Sequence, residues 1–440
     1  MPRPSTGWMT RPWSRPVSAP RAFWVYRAGF AFCWALMTTL SLLFQVQVAR
    51  LDPVQLVVVG TVLEASCFLG EIPTSVVADR FSRRASVIIG LVVAGVGFAL
   101  QAVPSFGAIL AAQVVWGIGY TFVSSADVAW VVDEVGGDRV QPVLVRGTQL
   151  ALAAGLVGTV AAGALGLLGL GLPLVVSGAG MVLLAGWLLF RMPETWRPAA
   201  ASGPGLRSAF RAAGHTFVEA VRASRASRLV RAFCLIGLLT GLSSEVVDRL
   251  WTARVVNQLG LPPWFDGLPH ASAVWFTGFA LVGQALALGT SVLANRISPA
   301  VAGGDRPHRL LAVLTGLQVA AVVGFAVSGL LLPALLALWV RDATRAVAEP
   351  VQNAWLHRDL DPATRATVGS VVTQADALGQ VAGGPPLGAL ATRTSIPLAL
   401  LVAAVVQAPT VALFARLGRP VGRADGAGRT GTVSPAPPSP

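Results

Sequence analysis

The sequence contains no lysine, so all 33 of its basic side chains are arginines. A chain without lysine cannot form the phosphate-binding loop of an ATP-driven pump, in which a lysine contacts the nucleotide. Charged residues make up only 12% of the chain, where a soluble domain has roughly 25%. The three cysteines and four histidines lie apart, without the spacing of a disulfide framework, a metal site or a catalytic cluster. We therefore expect no ATPase motif, no metal or other cofactor, and no enzyme.

Long apolar runs occupy most of the chain, and the mean hydropathy is +0.67. Each run of 18 or more apolar residues is long enough to cross a bilayer as a helix. The ten-residue alternation of a membrane β-barrel is absent. The sequence therefore predicts an all-α membrane protein with twelve transmembrane helices. The predicted spans are 22–48, 54–78, 85–103, 106–132, 144–167, 172–190, 229–256, 271–294, 310–332, 334–356, 366–391 and 396–417.

The arginines are concentrated in the two tails and in alternate connections between spans. The remaining connections hold only Arg50, Arg254 and Arg393. Positive residues favour the cytoplasmic side, so this asymmetry predicts that both termini are cytoplasmic, in a plasma membrane of the bacterial inner-membrane type. The net charge of +13 is thus a topology signal, and we expect no nucleic-acid partner.

Three sequence echoes divide the spans into two halves. The stretch TSVVADR at 74–80 returns as TSVLANR at 290–296, Trp130 corresponds to Trp355, and Arg146 corresponds to Arg365. Tandem halves of this kind build transporters with a site near the membrane midplane. We predict a tail at 1–21, six-helix bundles at 22–191 and 229–418, a cytoplasmic linker with an amphipathic helix at 192–228, and a disordered tail at 419–440.

The stretch SVVADRFSRR after span 2, together with twelve spans and a long central linker, resembles the major facilitator superfamily. The family motif at this place is matched by Asp79, Arg80, Arg83 and Arg84, whereas Ser75 and Ser82 stand where the family usually has glycine. The resemblance implies two pseudo-symmetric six-helix bundles, with spans 3, 6, 9 and 12 facing lipid. It also implies that the motif is a gate, in which Asp79 pairs with Arg83 or with the other half. The plain alternative is a set of charges that only fixes topology.

Charged residues within spans are costly and usually mark pairing, a water-filled cavity or function. Asp127 is the leading candidate for proton coupling, followed by Asp376 and Glu64, because neither aspartate has a basic partner within a helical turn. Helical spacing groups further residues as candidates for a cavity or substrate site. These are Arg27, Trp34, Glu71, Tyr120, Trp130, Glu245, Asp248, Arg249, Arg341, Asp342, Arg345, Glu349 and Gln380. The four charges on span 10, from Arg341 to Glu349, have the alternative of an internal salt-bridge ladder.

The favoured function is secondary transport by alternating access, as proton-coupled efflux of a small, partly hydrophobic molecule. The proton gradient would supply the energy, and the partners would be the bilayer and the cargo of a monomeric carrier. Two stretches, GIGYTFVSSADVAWVVDE and TQADALGQVAGGPPLGAL, resemble bacterial members labelled as exporters. The family's antiport motifs are incomplete, since Gln113 stands at an arginine position. An importer of a sugar, organic acid or other nutrient, a uniporter, and a non-transporting receptor stay open as alternatives.

Overall fold

The computed structural model describes residues 17–195, 222, 228–302, 307–358 and 362–417, which form twelve long helices. The first half contains α1 (Ala19–Gln47), α2 (Pro53–Arg80), α3 (Arg83–Leu100), α4 (Phe106–Val135), α5 (Gly137–Leu168) and α6 (Leu172–Arg191). The second half contains α7 (Arg228–Leu259), α8 (Ser272–Ala302), α9 (Pro307–Val327), α10 (Leu331–Arg358), α11 (Pro362–Arg393) and α12 (Ile396–Leu417).

Local signals in the sequence set many of the helix ends. The Asp52 side chain accepts a hydrogen bond from the Gln55 backbone, the Gln55 side chain accepts one from the Asp52 backbone, and Pro53 follows the cap, so α2 begins sharply. Ser82 caps α3 in a similar way. Gly136 has φ 88°, a left-handed conformation that separates α4 from α5. Two helices are broken internally, α4 after Ser124 and α12 after Gln407.

The two halves repeat the same helix packing. The pairs α1–α5, α3–α4, α3–α6, α2–α4 and α1–α6 correspond to α7–α11, α9–α10, α9–α12, α8–α10 and α7–α12. The contacts between the halves show the same correspondence. Helix α2 packs on α11 as α8 packs on α5, and α2 packs on α7 as α8 packs on α1. The predicted pair of pseudo-symmetric six-helix bundles is therefore confirmed.

Every third helix lies at the outside of the assembly. Helices α3, α6, α9 and α12 pack mainly within their own half and expose apolar side chains such as Val96, Leu183, Val313 and Val405. Within the described residues, ten of the helices are long and apolar enough to cross a membrane, and the other two are α10 and α11. Away from the helix ends, the charged residues thus lie on the central helices, and the outer helices carry much of the exposed apolar surface.

Several predicted features lie wholly or partly outside the described residues. These are the amino-terminal tail, most of the linker at 192–228, the tail at 419–440, and the side chains of Arg296 and Arg365 that belong to the sequence echoes. The end of the bundle that carries the α2–α3 and α4–α5 connections is called the basic edge below. The end that carries the α1–α2 and α7–α8 connections is called the distal edge.

Candidate functional site

In the first half, the buried charge is Asp127, at the start of the second segment of α4. Its side chain accepts a hydrogen bond from the hydroxyl of Tyr26 at 2.9 Å, and Nη1 of Arg27 lies 3.6 Å from the same carboxylate oxygen. Asp127 is 7% exposed, whereas the Arg27 side chain is 34% exposed. Asp127 has no basic partner within one helical turn of its own helix, and α1 supplies its partners, Tyr26 and Arg27. Arg27 is near enough for attraction and too far for a direct hydrogen bond.

The arginines that follow α2 bind the α2–α3 connection to its own half. Arg83 forms an ion pair with Asp133 of α4, donates to the Ala129 carbonyl at 2.9 Å, and lies 3.3 Å from Asp79. Arg84 donates to the Leu189 carbonyl at the end of α6. Asp79 remains 65% exposed. In this conformation Asp79 pairs with Arg83 and makes no described contact with the other half. Of the two pairings predicted for Asp79, this is the one within its own half.

Aromatic side chains fill the space between α1 and α4. Trp34 stacks on Phe30 with a centroid distance of 5.9 Å and makes an edge contact with Trp116 at 5.5 Å. Tyr120 lies 5.9 Å from Trp34 and is 38% exposed, so part of its ring is accessible. Trp130 is placed differently, because it is 2% exposed and its indole donates to the Pro193 carbonyl. Trp130 is buried in packing and does not present a stacking surface.

The two halves meet through α2, where it crosses α7 and α11. Arg249 donates to Glu245 at 2.8 Å, and this ion pair lies against the backbone of Gly60. Glu71 accepts a hydrogen bond from Gln374 of α11. Glu64 lies between them, within electrostatic reach of Glu245 and Arg249. Hydrogen bonds between described residues join the halves from the distal edge towards the basic edge. They include Gln47–Ser272, Val54–Thr392, Thr159–Gln284 and Glu71–Gln374.

In the second half, charges on α10 pair with α7. Arg341 is 7% exposed and donates to Asp248 at 2.6 Å and to Asp342 at 3.2 Å. Arg345 reaches the other oxygen of Asp248 at 3.4 Å. The predicted internal ladder is thus present only at Arg341–Asp342, and its main connection crosses to another helix. Glu349 forms no ion pair within the described part of the chain.

Arg341 separates two cavities. The C-half cavity, of about 220 Å³, extends from Arg341 towards the basic edge between α7, α9, α10, α11 and α12. The interface cavity, of about 250 Å³, extends towards the distal edge and is lined by α1, α7, α8 and α10. Asp376 lines the C-half cavity and accepts a hydrogen bond from Gln380 at 2.8 Å. Arg341 is the one residue that lines both of these cavities.

The structure adds polar residues that the sequence argument passed over. Tyr26, Asp133 and Gln374 are partners of predicted residues, and Thr315, Gln318 and Gln407 line the C-half cavity from the outer helices. The sequence held a signal for Gln318 and Gln407, because a glutamine in the middle of an apolar span must find a partner or a cavity. Among the described residues, no group of three His, Cys, Asp or Glu side chains is arranged to hold a metal ion.

Two matching six-helix halves around a buried polar centre define a multi-pass membrane transporter. The family model for the Major Facilitator Superfamily matches residues 22–384, and the chain belongs to that superfamily. Membership places the chain among transporters that bind small molecules in a membrane.

Solved structures of such transporters share the fold. The nucleoside transporter NupG is 15% identical with a TM-score of 0.67, and the match covers 91% of this chain and 99% of NupG. A POT family transporter in complex with a thioalcohol-conjugated peptide is 13% identical with a TM-score of 0.71, covering 92% and 98%. A bacterial homologue of the human lysosomal transporter Spinster, in an inward-facing and unoccupied conformation, is 14% identical with a TM-score of 0.66, covering 93% and 98%. No curated protein matches the sequence significantly.

Proposed function

We propose that the chain is a proton-coupled secondary transporter that works by alternating access and exports a small, partly hydrophobic molecule. The observation that carries the coupling is the Asp127 site. A buried carboxylate is bound there by the neutral hydroxyl of Tyr26, with its cationic neighbour Arg27 at 3.6 Å. An ionised carboxylate among membrane-spanning helices costs several kcal/mol unless it is paired. Asp127 therefore has two acceptable states: ionised with Arg27 close by, or protonated with Arg27 released.

This two-state pair supplies a physical link between a proton and helix packing. Arg27 lies on α1, which packs on α5 and α6 and also contacts α7 and α8 of the other half. When Asp127 takes up a proton, the attraction that holds Arg27 near α4 is lost. Arg27, which is partly exposed, is then free to contact solvent or cargo. Movement of α1 relative to the second half is the expected consequence, and such movement is what alternating access requires.

Export is the favoured direction because two stretches of the sequence resemble members labelled as exporters. Uptake is the second candidate, since the structural neighbours include nucleoside and peptide transporters by name. Both directions use the same two halves and the same coupling residue. Orientation in the membrane follows the arginine distribution, with the basic edge on the cytoplasmic side.

The test is proton movement in membrane vesicles that contain the protein. A pH-sensitive dye reports the decay of an imposed proton gradient as amines, sugars, nucleosides, peptides and organic acids are added in turn. Wild type is compared with Asp127→Asn and with Asp266→Asn, a matched control that removes an exposed carboxylate in the α7–α8 connection.

We expect one class of compound to accelerate decay in wild type and in Asp266→Asn. Asp127→Asn should lose this proton movement while it still exchanges labelled cargo across the membrane without a gradient. Accumulation in inverted vesicles with an acidic interior identifies export, and accumulation only in right-side-out vesicles identifies uptake. Gradient-driven transport by Asp127→Asn at the wild-type rate would contradict the assignment of the proton to this residue.

A further inference from the structure

The C-half cavity is enclosed by one half of the protein only. All of its lining residues lie in the second half, on five helices that include the outer helices α9 and α12. A site near the midplane shared between both halves is the ordinary arrangement of such transporters. The C-half cavity is therefore a separate feature, and its chemistry can be considered on its own.

Two arginines and two carboxylates line this cavity, and two further aspartates, Asp248 and Asp342, pair with the arginines from outside its wall. Arg341 and Arg345 are both engaged by Asp248, at 2.6 and 3.4 Å, and Arg341 also binds Asp342. The two arginines and these two aspartates neutralise one another. Because both arginines are paired with aspartates of the protein, they attract an anionic ligand only weakly.

Two carboxylates on the same wall are left over. Asp376 is bound only by the uncharged Gln380, and Glu349 has no ion pair to a described residue. Both carboxylates line the same cavity, Glu349 from α10 and Asp376 from α11. Arg345 lines the same cavity and attracts Asp376 only from beyond ion-pair distance, so the lack of a paired cation at the two carboxylates still carries a penalty among membrane-spanning helices. A positively charged ligand removes this penalty.

Buried polar side chains on the outer helices give a second, independent indication of a ligand. Thr315 is 5% exposed and Gln318 is 8% exposed, and both line the cavity from α9. The Thr315 hydroxyl has no hydrogen-bond partner in the described structure. The carboxamide oxygen of Gln318 receives a long bond of 3.4 Å from Gln407, and its NH₂ group has no partner among the described residues. Both groups line the cavity, where a ligand that accepts or donates a hydrogen bond can satisfy them.

The remaining wall is apolar and the volume is small. Ile236, Val247, Val372 and Phe414 line the space between the carboxylates and α9. The volume of about 220 Å³ is below the roughly 300–1,000 Å³ of pockets for drug-sized ligands. A ligand that fits has a cationic end, a short apolar stem and a neutral hydrogen-bonding end.

We propose that the C-half cavity binds a small organic amine, with its ammonium group between Glu349 and Asp376 and its polar end at Thr315 and Gln318, and that this amine is the cargo. The identification of the ligand as cargo rests on the proposed function, whereas the binding site itself does not.

Binding is measured first, without transport, by thermal unfolding of the purified protein in lipid nanodiscs. Three probes differ in charge and share a short chain with an amide end: 4-aminobutanamide is a cation, butanamide is neutral and succinamic acid is an anion. Choline and 1,4-diaminobutane extend the cationic set. The variants are Glu349→Gln and Asp376→Asn, which preserve shape, and Asp266→Asn, which removes an exposed carboxylate far from the cavity.

The proposal predicts that at least one cation raises the Tm of wild type and of Asp266→Asn, and that butanamide and succinamic acid do not. The Kd for that cation should rise about tenfold or more in Glu349→Gln and in Asp376→Asn, because each variant removes one charged hydrogen-bond partner. Stabilisation by no cation, equal stabilisation by the neutral probe, or a Kd unchanged in both cavity variants overturns the proposal.

Transport of the bound cation is then measured in the vesicles described above. Binding without transport of any compound would leave the cation site standing and would contradict the proposed function. Proton-coupled transport of neutral or anionic compounds, with no cation bound, would leave the proposed function standing and would overturn the cation site.

Discussion

Substitution of Gly60 by alanine tests how the two halves close against each other. Gly60 lies on α2 where it crosses α7, and the Glu245–Arg249 ion pair occupies the space beside it. A Cβ atom at this position would lie 1.5 Å from Oε1 of Glu245 and 2.1 Å from Nε of Arg249. Real Cβ atoms are not found closer than 3.0 Å, so the ion pair must withdraw by about 1.5 Å or the helices must separate.

The size of the effect follows from what must move. Glu245 is 3% exposed and its bond to Arg249 measures 2.8 Å, so the pair has little room to rearrange. Insertion of an extra methyl group into close packing costs typically about 1–3 kcal/mol. This cost falls only on conformations in which α2 and α7 are in contact. Gly60→Ala should therefore shift the ratio of closed to open distal edges by a factor of about 5 to 150.

The assay is a distance distribution between spin labels on cysteines placed at Val48 and Leu268, in a background from which the three native cysteines have been removed. Both positions are exposed at the distal edge, one in each half. Gly155→Ala is the matched control, because Gly155 is also within a helix and a Cβ there meets nothing within 4 Å. We expect longer distances and slower transport for Gly60→Ala only. Identical distances and rates in the two variants would refute the argument from packing.

Two further predictions concern stability, measured as the Tm of the purified protein. Replacement of Arg341 by methionine leaves Asp248 with only the longer contact to Arg345, and should lower the free energy of unfolding by about 3 kcal/mol. A further Asp248→Asn substitution should recover part of this loss. An unchanged Tm in Arg341→Met would argue against the ion pair. Gly97→Ala should lower the free energy of unfolding by about 1–3 kcal/mol, because the new Cβ would lie 2.6 Å from the backbone nitrogen of Trp116. A Tm equal to that of wild type would show that α3 and α4 can separate freely.

The helices could be predicted from the sequence because hydropathy is a local property of the chain. The last span was predicted at 396–417 and the structure has Ile396–Leu417, while α4 extends three residues past its predicted end at 132. The break within α4 after Ser124 was not foreseen, because the apolar run continues across it, although Asp127 begins the second segment. Pairs one helical turn apart, such as Glu245 and Arg249, were also within reach of sequence spacing.

The partners of the buried charges could not be predicted, because they depend on how distant helices pack. Tyr26 and Asp127 are 101 residues apart, and Asp248 and Arg341 are 93 residues apart. Arg345 could be placed on the same face as Glu349 from the sequence, yet it binds Asp248 on α7. Gln318 and Gln407 were overlooked because their helices are apolar overall, and only the packing shows that their polar groups face inwards.

The central claim, alternating access, is tested most directly by measuring two distances in one membrane preparation. One pair of spin labels is placed at the distal edge, at Val48 and Leu268, and the other at Gly137 and Ala354, at the basic ends of α5 and α10. Measurements with and without a proton gradient and a transported compound should show one distance lengthening as the other shortens. Two distances that stay fixed, or that change in the same direction, would contradict the account.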